Sequence, residues 1–326
     1  MSVYDELVVE SVPEVPGGQG AGLGNPAIRA RSPWHLAFER LRHDRVAVVS
    51  AVVIVGIAGL AVFAPVVAAI TGHGPDTQYH LTGLSPAGIP VGPGKHFVLG
   101  ADELGRDILV RICYGARISL LVGVIASGVA VAGGAVLGML AGYMGRIVDT
   151  TLARLIDVVL AMPYLVFAIA LWTALGGQGG ITLDVGVIAF FSFGAVARVV
   201  RGQVLSIREK EYIEAARSLG AGTLRIMFVD ILPNVLAQVI VYFTLLVPAA
   251  IVFEATLAFL GIGTTPPTPD WGSMLSEALN YYEVAWWYVV FPGLALLATT
   301  LAFNLLGDSV RDAFDPRYSR IFIREK

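Results

Sequence analysis

Apolar side chains make up 56% of this chain of 326 residues, and charged residues make up only 14%. Soluble domains carry about 25% charged residues, so this composition excludes a protein that water solvates over most of its surface. The net charge of −3 gives no reason to expect a nucleic-acid partner. The single cysteine, Cys113, cannot form an intrachain disulfide, and we interpret it as a small apolar side chain that fills space.

The first 45 residues are predicted to form a cytoplasmic N-terminal tail. Residues 1–28 are rich in Gly, Pro and Val and show no helical period, which predicts disorder. Residues 33–45, PWHLAFERLRHDR, are predicted to form an amphipathic segment. Its apolar side chains, including Trp34 and Phe38, suit the lipid interface, and its arginines suit anionic headgroups.

Six stretches have the roughly 20 apolar residues that a membrane-spanning helix requires. They are Val46–Ile70, Ile118–Ala141, Leu155–Leu175, Leu183–Val200, Asn234–Gly261 and Trp286–Leu306. The first begins too late and is too long for a secretory signal, and five more follow it. The prolines inside these stretches are tolerated where neighbours satisfy the freed backbone groups, and the small residues of the second stretch suit close helix packing. We therefore predict an all-α polytopic membrane protein with six transmembrane helices.

The distribution of Lys and Arg predicts the orientation of these helices. If the N-terminus is cytoplasmic, 18 of the 22 basic residues lie on the cytoplasmic side. The other four, Lys95, Arg106, Arg111 and Arg117, all fall in one external segment. Because short cytoplasmic loops are enriched in Lys and Arg, both termini are predicted to be cytoplasmic.

Two longer segments are predicted to be external. Residues 71–117 are rich in Gly and Pro up to Gly100 and then regain a helical pattern. Residues 263–285 begin with three closely spaced prolines, which forbid a continuous helix, and residues 273–282 are predicted to form a short one. Trp286 and Trp287 suit interfacial anchoring. For this segment, and for Trp271 in it, a gate role and simple anchoring both remain open.

The polar stretch EYIEAARSLGAGTLRIMFVDILP, residues 211–233, separates two apolar stretches. EYIEAARSL predicts a helix that Gly220 ends in a left-handed turn, and Thr223 is predicted to cap a second helix. Small residues beside Glu214 would let another protein approach closely. These residues alone leave two interpretations open, a partner-binding loop and a polar linker.

EAARSLG, followed after ten residues by ILP, resembles the EAA motif of ABC importer permeases. The resemblance implies that the helices at about 206–232 are coupling helices that dock onto an ATPase subunit. The residues it assigns to coupling are Glu214, Ala215, Ala216, Arg217, Gly220, Leu232 and Pro233. Asp230 departs from the wider pattern, which has an apolar residue ten positions after the glycine.

Four further stretches resemble the dipeptide/oligopeptide permease family (DppC/OppC type). They are HFVLGADELGRDILVRICYGARISLLVG, AGYMGRIVDTTLARLIDVVLAMPYLVFAIAL, FEATLAFLGIGTTPPTPDWGSML and AWWYVVFPGLALLATTLAFNLLGDSVRDAFDPR. The resemblance covers roughly residues 33–317. It implies a type I ABC importer transmembrane fold, with residues 46–117 as first span and external segment, 118–310 as ABC transmembrane domain and 311–326 as cytoplasmic tail.

The resemblance also implies partners in a bacterial or archaeal cell membrane. They are a second homologous permease subunit, two ATP-binding subunits and an extracytoplasmic substrate-binding protein. No cofactor is implied. Dipeptides, oligopeptides, nickel chelates, glutathione and oligosaccharides all remain open as substrates.

No ATP site of its own is predicted for this chain. A phosphate-binding loop needs Gly-Lys-Ser/Thr, and of the three lysines only Lys95 follows a glycine, with His96 after it. Energy must therefore come from a separate subunit or from an ion gradient. A secondary transporter would need ionisable groups within the spans, for which Asp157 and Glu254 are the candidates, whereas Asp149 and Asp184 are predicted to be interfacial.

Glu254 is predicted either to face the pathway or a gate, or to make a structural polar contact. The histidines form no HExxH pair and no GxSxG occurs, so neither a metal nor a catalytic site is predicted. A non-transporting membrane scaffold would share the topology without needing a coupling loop.

Overall fold

The computed structural model describes residues 33–315, which form helices and loops with only isolated β-bridges between extended residues. The helices of the first half are α1 (Pro33–His43), α2 (Arg45–Val62), α3 (Ala64–Thr71), α4 (His80–Gly83), α5 (Ile108–Met144), α6 (Arg146–Ala161) and α7 (Tyr164–Ala174). Those of the second half are α8 (Gly180–Ile207), α9 (Glu211–Ser218), α10 (Thr223–Arg225), α11 (Leu232–Phe259), α12 (Trp271–Ala278) and α13 (Trp286–Phe314). A π-helical segment, Ile226–Ile231, joins α10 to α11.

Within residues 33–315, five helical stretches are long and apolar enough to cross a membrane: α2, α5, α8, α13 and the continuous stretch from Thr223 to Phe259. The bent pair of α6 and α7 provides a sixth if the two helices together count as one span. This confirms the predicted all-α, polytopic architecture. Pro248 and Pro292 lie inside α11 and α13 without ending them, as predicted.

The predicted third span is not one continuous helix. Helices α6 and α7 meet at an angle of 82°. Pro163 lies at the break, and Met162 before it is extended, with φ −80° and ψ 132°. A proline lacks the N–H that would continue the helix and forces the preceding residue out of the helical region. The first predicted span is likewise divided, at Phe63, where α3 begins with Pro65 in its first turn.

Helix α5 packs against α8 through a row of glycines spaced four residues apart. A Cβ at Gly138 would lie 2.6 Å from the Ala197 carbonyl oxygen, and Gly134 and Gly142 are equally close to α8. The small residues let the two backbones meet closely, which confirms the predicted packing role for Gly134 and Gly138. By contrast, Gly133 has no other atom within 4 Å of a Cβ position.

Two ion pairs join α6 to α8. Arg201 pairs with Asp149, and Arg198 Nη2 lies 2.8 Å from Asp157 Oδ1. Asp157 is exposed, so the expectation that it is a buried group within a span is wrong.

The amphipathic segment forms α1, which packs against the end of α13. Trp34 meets the Phe314 ring edge-on at 5.2 Å between centroids. Arg40 Nη1 donates to the Ala313 carbonyl oxygen at 3.1 Å, so α1 caps the C-terminus of α13. The predicted disordered residues 1–28 and the tail beyond Asp315 lie outside the described residues.

Candidate functional site

Helix α9, which carries the predicted coupling residues, is attached to the bundle by one buried side chain. Ile213 is completely buried and belongs to the same apolar cluster as Met139 of α5 and Val200 of α8. Glu214, Ala215 and Arg217 are exposed, and Ala216 is half-buried. Ile213 was not among the predicted site residues, although the helical spacing of apolar positions 213 and 216 was a usable signal.

Gly220 ends α9 in a left-handed turn, with φ +81°, as predicted. The N–H of Ala221 donates to the Ala216 carbonyl at 3.0 Å, and the N–H of Gly220 donates to the Arg217 carbonyl at 3.0 Å. These two hydrogen bonds form a Schellman motif, in which glycine is favoured at the left-handed position. The turn therefore sets the angle between α9 and the helix that follows.

The second short helix differs from the prediction. Gly222, and not Thr223, is the N-cap of α10, and no side chain caps this end. Helix α10 has only three residues and continues through the π-helical segment into α11, with Leu232 and Pro233 in the first turn of α11. The predicted separate helix is thus the beginning of a membrane span.

Apolar side chains cover the tip of this loop. Leu219 is 88% exposed and Leu224 is 69% exposed, and Tyr212, Phe228 and Val229 are exposed beside them. Exposed apolar patches of this kind mark interaction sites. This tip, formed by residues 212–229 at the predicted cytoplasmic end of the bundle, is called the coupling tip below.

Two arginines, one in the coupling tip and one at the end of α8, contact the end of α5. The Arg217 guanidinium lies over the Tyr143 ring, 5.7 Å from its centroid. Arg208 Nη1 donates to the Gly142 carbonyl oxygen at 3.0 Å. A displacement of α9 would therefore act on α5 and α8 together, because the row of glycines already holds these helices in contact.

A charged network lies at the opposite, predicted external, end. Arg106 Nε lies 2.5 Å from Asp102 Oδ2, and Arg106 Nη2 lies 3.1 Å from Glu277 Oε2. Arg111 Nε approaches the same Asp102 oxygen at 3.3 Å, and the Tyr288 hydroxyl donates to Glu277 Oε2 at 2.8 Å. The network ties the external segment and α5 to α12 and α13.

The electrostatics of this network favour charged guanidinium groups. Burial disfavours the charge on Arg106, but the carboxylates of Asp102 and Glu277 outweigh it and raise the pKa of Arg106. Burial also raises the pKa of Glu103, and the neighbouring Glu277 and Asp102 add to this effect. The sequence analysis treated Arg106 and Arg111 only as exceptions to the charge bias, although the spacing of Asp102 and Arg106 was a signal for this pair.

Arg106→Met is expected to destabilise the chain, because it leaves the fully buried Asp102 without its closest cation. Removing one partner of a buried ion pair typically costs about 3–5 kcal/mol. The purified protein is heated, and the fraction that still elutes as a monodisperse peak is measured. The transition temperature of the variant should be lower than that of the wild type. Lys95→Met, at an exposed position of the same segment, is the control. Equal stability of the two variants would contradict the structural role of the network.

The two predicted pathway or gate residues are both buried. The Ser119 hydroxyl donates to Glu254 Oε2 at 2.9 Å. Trp271 begins α12, and its indole Nε1 donates to the Ile112 carbonyl oxygen at 3.2 Å. The short external helix spans Trp271–Ala278. It begins two residues earlier than predicted, because Asp270 caps it by accepting from the Ser273 N–H, and it ends four residues earlier than predicted.

Comparison with known proteins places two family models on this chain. The model described as "Binding-protein-dependent transport system inner membrane component" matches residues 134–320. The model described as "N-terminal TM domain of oligopeptide transport permease C" matches residues 32–86.

Two curated relatives align with most of the chain. The di/tripeptide transport system permease protein DppC of Pseudomonas aeruginosa is 40% identical over 91% of this chain and 96% of the relative. The oligopeptide transport system permease protein OppC of Escherichia coli K12 is 42% identical over 89% of this chain and 93% of the relative.

A solved structure of the MetNI methionine ABC transporter in inward-facing conformations shares the fold. One of its chains aligns with 62% of this chain and 96% of its own length, with a TM-score of 0.51 and 17% identity. This likeness concerns the arrangement of helices alone, and it agrees with the predicted importer transmembrane fold.

Proposed function

Because this chain belongs to the family of binding-protein-dependent transport system inner membrane components, we propose that it is the permease subunit of an ATP-driven importer of di- or oligopeptides. It forms half of the translocation pathway, and a second homologous permease subunit forms the other half. Two ATP-binding subunits bind on the cytoplasmic side and an extracytoplasmic binding protein delivers the substrate. The complex lies in the cytoplasmic membrane of a bacterium, with both termini of this chain in the cytoplasm.

The observation that carries the proposal is the coupling tip. Its apolar side chains, Leu219 and Leu224 foremost, are exposed at the predicted cytoplasmic end of the bundle. An exposed apolar surface of this kind suits an interaction site, and the resemblance of EAARSLG to the EAA motif points to an ATPase subunit as the partner. Peptides are proposed as substrates because the names of the two relatives state peptide transport.

The coupling mechanism follows from how the tip is attached. ATP binding draws the ATPase subunits together and moves α9 with them. Ile213 transmits this movement to α8, and Arg217 and Arg208 transmit it to α5. Because the glycine row keeps α5 and α8 in contact, the two helices rotate as one body, which is the kind of rigid-body switch that alternating access requires.

The experiment that tests the proposal is a pull-down of the tagged full-length chain, in mild detergent, from membranes of the cells that naturally produce it. We expect ATPase subunits to co-purify and ATP hydrolysis to increase when binding protein and dipeptide are added. A chain that purifies without ATPase subunits, with peptide uptake driven by a proton gradient, would overturn the proposal in favour of a secondary transporter.

Glu214→Lys is expected to reduce the amount of co-purifying ATPase subunit. Glu214 lies in the first turn of α9, where a negative charge suits the helix dipole, and its side chain is exposed towards the proposed partner. The loss of one charged contact at an interface typically costs about 2–5 kcal/mol when the contact becomes buried. Glu283→Lys makes the same charge change at an exposed position of the opposite end and is expected to leave the yield unchanged. Equal ATPase yield from both variants would count against docking at Glu214.

A further inference from the structure

Two carboxyl groups are buried near the predicted external end of the bundle without full hydrogen bonding. Asp184 of α8 is 2% exposed and Glu254 of α11 is 1% exposed. Among the described residues, Asp184 Oδ1 and Glu254 Oε1 have no hydrogen-bond partner. Asp184 lies near the start of α8, at the end of a span as predicted, but the loop after α11 packs over it and buries it.

The segment 261–272 packs against the Asp184 carboxyl group and against the helix backbone next to Glu254. A Cβ at Gly263, whose φ is +125°, would lie 2.9 Å from Asp184 Oδ2. At the other end of the segment, a Cβ at Gly272 would lie 2.2 Å from the carbonyl oxygen of Ala255, the residue after Glu254. Only glycine fits at such close approaches, so the segment seals this position tightly.

Helix α5 completes the enclosure. A Cβ at Gly115 would lie 3.4 Å from the Asp270 Cα, so the segment rests on α5 at this point. Ser119 lies one turn further along the same face of α5 and donates to Glu254. The hydrogen bond between Ser119 and Glu254 thus lies directly beneath the segment.

No basic side chain in the described part of the chain forms an ion pair with either carboxyl group. The third nearby acid, Asp270, uses its oxygens to accept from the Ser273 N–H and the Thr264 hydroxyl. On α5, Arg111 is engaged with Asp102, and Arg117 donates to the carbonyl oxygens of Ala61 and Val62. The groups that face Asp184 and Glu254 are consequently acidic or neutral.

Burying an ionised carboxylate without a partner costs far more than burying a carboxylic acid, so such groups bind a cation or a proton. A protonated carboxyl group is neutral, so protonation removes this cost at each of the two side chains. We propose that Asp184 and Glu254 form a proton-binding site beneath residues 261–272, and that opening of this end of the bundle releases the protons to the external water. Each carboxylic acid loses its proton and becomes a carboxylate, which water then solvates.

The site itself is tested by infrared difference spectroscopy of the full transporter complex in lipid nanodiscs, titrated from acid to alkaline pH. We expect the C=O band of protonated carboxylic acids at neutral pH to weaken in Asp184→Asn and in Glu254→Gln. Glu283→Gln, which alters an exposed carboxyl group, should leave the band unchanged. Should both variants misfold, the wild-type titration decides, because a band that is absent at neutral pH overturns the proposal.

The opening step rests on the proposed function and is tested separately by ATP hydrolysis stimulated by binding protein and peptide. Each proton released changes the opening equilibrium by up to about tenfold per pH unit, since one pH unit corresponds to 1.36 kcal/mol. The wild-type activity should therefore depend on pH more steeply than that of the double variant D184N/E254Q. Identical pH profiles would overturn the opening step, whereas a wild-type complex without any ATP hydrolysis would refute the proposed function and leave the infrared result to decide on the site.

Discussion

Gly220→Val is expected to abolish peptide uptake while the chain still inserts into the membrane. The φ of Gly220 is +81°, and a Cβ there would meet no other atom within 4 Å, so the effect comes from the backbone and not from a clash. A residue with a Cβ pays about 1–2 kcal/mol for the left-handed conformation, and a β-branched residue suffers most. The turn would open and α9 would leave the angle at which the coupling tip meets the ATPase subunit. Uptake of a labelled dipeptide by cells, with the chain quantified in the membrane fraction, measures this effect.

Two further variants control for this interpretation. Gly220→Asn should retain most of the uptake, because asparagine tolerates the left-handed conformation. Gly222→Thr introduces a β-branched side chain of the size of valine two residues away, where φ is −71° and threonine suits the N-cap position. Normal peptide uptake by the Gly220→Val variant would show that the turn does not control coupling. The same conclusion would follow if the Gly222→Thr variant lost uptake to the same extent as Gly220→Val.

Gly138→Val is expected to push α5 away from α8 and to destabilise the protein. A Cβ at this position would lie 2.6 Å from the Ala197 carbonyl oxygen and 2.8 Å from the Val200 Cβ. Both neighbours are held by the backbone of α8, so the helices must move apart. Overpacking a core typically lowers the free energy of unfolding by about 1–3 kcal/mol. Because this valine would make two such contacts, we expect a loss at or above the upper end of that range. The transition temperature of the protein purified in detergent, followed by monodisperse elution, measures the loss.

Gly133→Val is the matched control on the same helix. A Cβ at Gly133 would meet no other atom within 4 Å, so valine there changes the same residue type without a contact to α8. We expect its transition temperature to remain close to that of the wild type. A Gly138→Val protein as stable as the Gly133→Val protein would show that α5 and α8 do not rely on this close approach.

Some features of the candidate site could be predicted because they depend on neighbouring residues alone. The turn at Gly220 is one, since a helix followed by glycine closes its own hydrogen bonds within six residues. The prediction that Thr223 is the N-cap was wrong, and the cause is again the conformation of a neighbouring residue. Gly222 adopts the extended N-cap conformation, and the helix that begins there runs on as part of a membrane span.

Other features depended on which helices meet. Ile213 anchors the coupling tip because Met139 and Val200 come together beneath it from two other helices. Asp184 is enclosed only because the segment after α11 folds back over α8. Asp157, a candidate for an ionisable group within a span, lies exposed on α6 and pairs with Arg198 of α8.

The order of residues along the chain was enough to predict a membrane protein of about six helices with both termini in the cytoplasm, and to locate the loop that carries the EAA-like motif. Crossing a membrane requires only a sufficient length of apolar residues, and orientation follows from counting basic residues, so both are properties of the chain read in one dimension. The tertiary structure alone decided how the helices pack, which acids are enclosed and what holds the coupling tip. In spans where almost every position is apolar, the side chains that face lipid and those that face another helix are chemically alike, so the pattern of residues does not distinguish them.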